Sequence, residues 1–539
     1  MLERLPSGTL KGGMQSWPLT LDRVLCHAAR WHGHREITSF CDDGRVERQS
    51  YSSISANAAR LSNALKARSI VKGDRVATLA MNSGRHLTAW YAIMGMGAVC
   101  HTLNPRIGED HLAWMLNQAS DRILIVDGAF GDLAKRVLAR GTPVESVIYL
   151  TAPQGTAPAQ GTSLEGVMAG QDDRCVWGDF EEESAAGLCY TSGTSGKPKG
   201  VLYSHRSNVL HSLMTIQADM FDLSARDVVM PLVPMYHANA WGLAFSAPVV
   251  GARLVMPGSQ LDGATIYQRM ADEGVTFAAA VPTAWLGLIE HMENTGARLP
   301  KLTKPLVGGA PLSDALLHRF DRVGLNVTHT WGMTELSPIG GVASALPETL
   351  AMEPTSRVPY RIKQGRAFFG IDMRILDADG QEMPHDGVNP GNLQMRGPIV
   401  VDKYFQMDNS VVTPDGYMET GDVAKIDHLG YMKITDRAKD VIKSGGEWIS
   451  SIELEQAASS FQGVAMAVAI AVPHPKWDER PLLLVKPQPG VDISIPALLE
   501  HIALKVPKWW LPDETRLVDD FPVGATGKID KAAVARTYR

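Results

Sequence analysis

Apolar positions recur at helical intervals in one part of the chain and crowd into short blocks in the next. Ile54, Ala58, Leu61 and Leu65 stand three or four residues apart, the spacing that lines one face of an α-helix. The runs Val76 to Met81, Ile123 to Val126 and Val147 to Leu150 have strand length and turn-rich flanks, and they predict buried strands. Gly187 to Tyr190 and Val464 to Val472 read the same way. Ala89 to Cys100 is the most apolar stretch; it is too short to span a bilayer and contains Gly95 and Gly97, so it predicts a buried helix. From Thr151 to Gln171 the residues turn to Gly, Ala, Pro and Thr, the composition of a connecting loop. Helices alternating with short buried strands predict an α/β fold with largely parallel sheets.

The 539 residues exceed what one core usually organises. The pattern changes near Asp436, which predicts a large N-terminal domain over 1–435, with parallel-rich sheets and helices, and a small α+β domain over 436–539. Net charge is −6, from 52 Lys and Arg against 58 Asp and Glu, and without a basic tract this argues against nucleic acid as a partner. Cys26, Cys41, Cys100, Cys175 and Cys189 are scattered and form no CxxC pair. Reduced thiols in a cytoplasmic enzyme are expected, rather than disulfides or a thiolate zinc site. The opening MLERLPSGTLKGG lacks the apolar run of a signal peptide, so neither secretion nor a membrane anchor is expected.

Chemistry first shows in TSGTSGKPKG, Thr191 to Gly200. Thr191, Ser192, Thr194 and Ser195 bring hydroxyls; Gly193, Gly196 and Gly200 allow close backbone approach; Lys197 and Lys199 bring positive charge. That inventory suits a phosphate. It is not a Walker loop, because only Thr194 and Ser195 separate Gly193 from Gly196 and Pro198 follows Lys197. Nor is Ser195 a hydrolase nucleophile, since Lys197 stands where the G-x-S-x-G elbow requires glycine. A plain surface loop is the competing reading, and the interleaved lysines after an apolar lead weigh against it.

The stretch resembles the phosphate-binding loop of the acyl-adenylate-forming superfamily, which includes acyl-CoA synthetases, peptide-synthetase adenylation domains and luciferases. Further motifs follow in that family's order and extend the resemblance over nearly the whole chain. WGMTE, Trp331 to Glu335, is similar to its aromatic-Gly-x-Thr-Glu element: Trp331 and Gly332 by adenine, Thr334 on phosphate, and Glu335 with Thr194 on Mg²⁺, a cation that prefers hard oxygen ligands. The family usually has Tyr at position 331, so Trp331 keeps the stacking plane and loses the hydroxyl. YMETGD presents Asp422 for the ribose hydroxyls, and Gly309 and Ala310 join the nucleotide set. DRAKD looks like the hinge, with Asp436 as pivot and Arg437 near the ribose, which implies that the small α+β domain over 436–539 is mobile; it falls where the composition changes. SGGEWIS resembles the loop that serves thioester formation, implying CoA contacts from Ser444, Gly445, Gly446, Glu447 and Trp448. In PVGATGKIDK, Lys528 matches the catalytic lysine.

The resemblance implies an acid–thiol ligase that uses ATP, Mg²⁺ and CoA to turn a carboxylic acid into an acyl-AMP and then a thioester. A homodimer is implied too. VPMYHANAWG is similar to the segment lining the acyl pocket, with His237 by the carboxylate. Trp241, one turn further if the segment is helical, would close the pocket floor, and Gly308, Gly309 and Trp331 would form its walls. A bulky indole favours a short acid, because overpacking by added methylenes costs about 1–3 kcal/mol. GGMQSWPLT, HTLNPRI and KWWLPDE are similar to the branch holding medium-chain fatty acyl-CoA ligases and, within it, the methylmercaptopropionate-CoA ligases of dimethylsulfoniopropionate breakdown. A medium-chain ligase and an adenylation enzyme with a non-CoA acceptor are the alternatives. Asp478, Glu479 and Arg480 read as an exposed charged triplet with no role.

Overall fold

The computed structural model describes residues 9–152, 161–191, 198–445, 447–522 and 529–538. The helix predicted from Ile54 to Leu65 is present as Tyr51–Ala67. Its four apolar markers are fully buried, and Ser50 caps it by accepting the Ser53 amide. The predicted strands form as Arg75–Leu79, Ile123–Val126, Ser146–Tyr149, Ala185–Tyr190 and Val464–His474.

Two large mixed sheets carry most of the chain, as the α/β pattern requires. In one, the strands run in the order Gly161–Ser163, Ser146–Tyr149, Ile123–Val126, Arg75–Leu79, Val99–Thr102, Ala185–Tyr190 and Gly200–Ser204. All neighbours are parallel except the last pair. In the other, a parallel run of Thr328–Gly332, Lys304–Gly308, Phe277–Ala280, Val228–Pro231, Arg253–Met256 and Glu36–Phe40 carries one antiparallel strand at each edge. A four-stranded antiparallel sheet then leads to the last sheet, built from 442–517 with its own apolar core around Leu454, Leu483 and Leu498. Among the described residues no helix is long and apolar enough to cross a membrane.

Two local expectations are corrected. Ala89 to Cys100 is the end of a helix, Gly84–Gly95, followed by the start of a strand, Val99–Thr102. Burial on every side removes the periodicity that would separate them. Within Thr151 to Gln171, the described residues include an edge strand, Gly161–Ser163, and a short helix, Leu164–Met168, capped by Ser163.

Three histidines inside the large sheets' helices set an acid limit. His86, His205 and His211 are buried, and burial lowers His86 to about 4 and the other two to about 3. The unfolded chain takes up these protons near pH 6.5 and the folded chain only well below it. Their contribution to stability is therefore complete above the unfolded value and is lost as pH falls toward the folded values, at about 1.4 kcal/mol per pH unit for each ring. Denaturant midpoints should fall between about pH 7 and about pH 5, and His211→Gln should flatten that slope.

Candidate active site

Antiparallel pairing decides where the acidic residues of two motifs stand. Met418–Ile426 and Met432–Arg437 lie side by side, with Asp422 opposite Arg437 and Val423 opposite Asp436. Side chains alternate faces along a strand, so Asp422 and Asp436 are near neighbours serving different sides. On one side the Arg437 Nε meets Asp422 Oδ1 at 2.7 Å, and the Trp331 indole N–H donates to Asp422 Oδ2 at 3.2 Å. The substitution of Trp for the usual aromatic hydroxyl thus supplies a new donor, aimed at the predicted ribose carboxylate. Asp422 and Trp331 are both buried, which makes this charge-assisted contact a firm constraint on the carboxylate.

The base of the phosphate-loop candidate is pinned by the chain itself. The Thr191 amide donates to Lys199 O at 2.9 Å, and the Lys199 amide donates to Thr191 Oγ1 at 3.3 Å. Ser192, Gly193, Thr194, Ser195, Gly196 and Lys197 lie outside the described residues. Beside this base, the Lys199 ammonium lies 4.8 Å from the Tyr404 ring centre, and the Tyr404 hydroxyl donates to Glu335 Oε1 at 2.8 Å. Tyr404 therefore joins the glycine-rich loop to the WGMTE acid. Tyr203 holds the same element from behind, donating to Thr334 O at 2.7 Å. Neither tyrosine stands in a motif, and Tyr404 is 69 residues from its partner, so no local signal marked them. Among the described residues no cluster of three His, Cys, Asp or Glu forms a metal cage. Glu335 instead fits a cation held by one carboxylate together with nucleotide phosphates.

On the acyl side the predicted helical turn is not right-handed. Ala238, Asn239, Ala240 and Trp241 all have positive φ, from 45° to 57°, followed by Gly242 at 80°. For non-glycine residues this costs about 1–2 kcal/mol each, and such strain persists only where the surroundings impose it. Here the Asn239 side chain donates to Asn208 Oδ1, the His237 amide donates to Pro234 O, and the His211 ring fills the space above Gly242. His211 is itself fixed by the Ile339 amide, donating to its Nε2 at 3.1 Å. The turn swings the Trp241 indole over Gly308 and Gly309: a Cβ on either would stand 3.1 Å or 3.7 Å from the ring. His237 lines a small cavity with Thr102, Asn104, Tyr190 and Tyr236. Trp331 ring carbons press on Gly340, while the Ala310 carbonyl faces His329 Nε2 at 3.4 Å. Gly332 closes the strand Thr328–Gly332.

The thioester-loop candidate is the hairpin of Ile442–Ser444 and Glu447–Ile449. Gly446 and the Glu447 side chain lie outside the described residues, as does Lys528. Gly445 has φ 62°, and its amide donates to Trp477 O; a Cβ there would meet the Trp477 ring at 2.9 Å. Half-buried Trp448 pairs with Lys443 across the hairpin. The triplet assigned no role turns out to hold this hairpin. Asp478 pairs with Ser444, Glu479 Oε2 accepts the Lys443 amide at 2.8 Å, and Arg480 Nη1 donates to Ser444 Oγ at 3.2 Å. Arg480 also donates to Trp509 O and Leu511 O, tying KWWLPDE to the same place. The legible signal was the triplet's position at the head of an apolar strand.

The fold and these candidate elements together define an adenylate-forming enzyme. The AMP-binding enzyme family matches residues 26–405, and the AMP-binding enzyme C-terminal domain matches residues 453–528. Over 532 residues the chain is 43% identical to 3-methylmercaptopropionyl-CoA ligase of Ruegeria lacuscaerulensis, covering 98% of this chain and 99% of that one. It is 40% identical to medium-chain-fatty-acid–CoA ligase of Ectopseudomonas oleovorans, covering 98% and 97%. The ATP-bound crystal structure of MatB from Rhodopseudomonas palustris superposes with a TM-score of 0.82 at 25% identity, covering 97% of this chain and 99% of that one. The chain belongs to the AMP-binding enzyme family. Within it, this is an AMP-forming acyl-CoA synthetase.

Gly242→Ala tests the strained turn. The new methyl would stand 2.6 Å from the His211 ring at a backbone angle that favours glycine. The substitution should destabilise the fold by about 1–3 kcal/mol and raise KM for the acid more than KM for ATP. An equal rise in both constants would separate the turn from the acyl pocket.

Proposed function

We propose that this AMP-forming acyl-CoA synthetase activates a short apolar carboxylic acid, 3-methylmercaptopropionate first among them. The observation that carries the reading is the Trp241 indole laid over Gly308 and Gly309, which supports a pocket closed at short depth. A thioether suits an aromatic floor, since sulfur–aromatic contacts contribute about 0.3–1.5 kcal/mol. The 43% identity to 3-methylmercaptopropionyl-CoA ligase points the same way.

The chemistry follows from the acid's poor leaving group. The carboxylate attacks the α-phosphorus of ATP; the new C–O–P link forms as the bond to pyrophosphate breaks. Two anions must be brought together, so the site has to offset charge while it aligns them. Lys528 and the 191–199 loop serve the phosphates and carboxylate, and His237 stands by the carboxylate. Asp422, with Arg437, takes the ribose hydroxyls, while Gly309, Ala310, Trp331 and Gly332 frame the adenine. Glu335 and Thr194 would hold Mg²⁺, which supplies positive charge to the phosphates when bound.

In the second step the CoA thiol gives its proton to solvent, the resulting thiolate attacks the acyl carbon, and AMP leaves with the oxygen it shared. Domains 1–435 and 436–539 change their mutual orientation at Asp436, exchanging Lys528 for the hairpin Ser444 to Trp448. Motion of this kind gates many enzymes. The reading includes a homodimer in the cytoplasm, which the family resemblance supports.

CoA-thioester formation across methylmercaptopropionate, propionate, butyrate, hexanoate, octanoate and benzoate tests the substrate. kcat/KM should peak at the short acids in the wild type and move to longer ones in Trp241→Ala. A wild-type peak at octanoate would favour the medium-chain reading, which the 40% identity to a medium-chain ligase supports. Tyr404→Phe should raise the Mg²⁺ concentration for half-maximal adenylation by about tenfold. No change there would remove Glu335 from the metal site.

A further inference from the structure

A largely buried lysine ties the start of the last helix to the hinge. Lys531 opens the helix Lys531–Tyr538, and its ammonium meets Glu455 Oε1 at 2.7 Å and donates to Ser451 Oγ at 2.6 Å. The Ser451 hydroxyl in turn donates to Asp436 Oδ1 at 3.0 Å, and the Ser451 amide donates to Asp436 Oδ2. Asp436 also accepts the Arg437 amide at 2.7 Å. Glu455 accepts the Ala469 amide at 2.8 Å from the strand Val464–His474. Ser451 and Asp436 are buried, and the Lys531 and Glu455 side chains are only 19% and 18% exposed.

The electrostatics require the cation. Burial pushes the Asp436 and Glu455 carboxyls up, and Lys531 is the largest opposing influence on each. Burial would lower Lys531, but Glu455 and Asp436 outweigh it and hold the ammonium above its ordinary value. Without it, two carboxylates would share one dry site, which disfavours ionisation of both.

The chain geometry gives this cluster a direction. Lys531 is three residues beyond Lys528, a reach of about 10 Å at most. The chain leading back toward Lys528 is held at its described ends: the Asp530 amide donates to Pro522 O at 2.9 Å, and Ile529 packs against the core around Val534. We propose that Lys531 is a positioning residue for adenylate formation: bound through Ser451 to the hinge residue Asp436 and directly to Glu455, it anchors the start of the last helix, three residues beyond Lys528 in the sequence, to the hinge. This rests on the reading of Lys528 as the catalytic lysine.

The test separates the half-reactions. Pyrophosphate exchange into ATP with the acid reports adenylate formation, and thioester formation from supplied acyl-adenylate and CoA reports the second step. Lys531→Met should lower exchange about 10²-fold, the scale of a reacting group displaced by about 1 Å, while thioester formation stays within about threefold. Lys531→Arg should recover exchange to within about tenfold of wild type. Should Lys531→Met fail to fold, Ser451→Ala decides, since it removes the hydroxyl bridge and leaves the charges; it should lower exchange about tenfold and spare the second step. Equal loss in both half-reactions, or unchanged exchange, overturns the proposal. Lys528→Ala is run beside them: if it leaves exchange intact, the reading of Lys528 fails instead.

Discussion

The site depends on one register, that of Met418–Ile426 against Met432–Arg437. Because facing residues share a side and successive ones alternate, a single pairing delivers Asp422 to Trp331 and Arg437, and Asp436 to Ser451. A slip of one residue would reverse both deliveries. The carboxylate facing Trp331 and the carboxylate facing the C-terminal sheet are therefore coupled by backbone hydrogen bonds, with no long-range signal required.

Both carboxylates are buried, and each is met by directional donors. At Asp422 these are a guanidinium and an indole; at Asp436 they are two amides, a hydroxyl and, through the hydroxyl, an ammonium. An apolar contact of the same area would stabilise as much but would accept many orientations. Hydrogen bonds to a desolvated anion accept few, since a buried carboxylate left unpaired costs several kcal/mol. A junction built this way holds one geometry rather than a continuum.

Legibility in the sequence followed the range of each interaction. The strands at Arg75, Ile123 and Ala185 were readable because burial on two faces leaves an uninterrupted apolar run. The WGMTE, YMETGD and DRAKD motifs were readable because each is contiguous. Tyr404, Tyr203 and His211 were not, since each acts on a partner far along the chain, and a lone aromatic or histidine has no periodicity to betray it. The Trp331 indole bond to Asp422 spans 91 residues, so the family motif showed the lost hydroxyl and not the donor that the indole supplies. The handedness at Ala238 to Trp241 was hidden for another reason: Ala-Asn-Ala-Trp has no glycine to announce positive φ, so only the packing of His211 and Asn208 imposes it.

That imposed turn explains where the Trp241 indole stands. A right-handed turn would carry Trp241 away from the strand end at Gly308, whereas four left-handed residues fold the segment back so that the ring lies over Gly308 and Gly309. The strain is offset by contacts that converge on the same point: His211 against Gly242, the Ile339 amide on His211, and Asn208 on Asn239. Ile339 belongs to the strand paired with Thr328–Gly332, which ends in the WGMTE motif. The residues that force the Trp241 turn into place are thus hydrogen-bonded to the strand pair that positions Trp331 and, through it, Asp422. The turn at Trp241 and the carboxylate of Asp422 are thereby held to one frame.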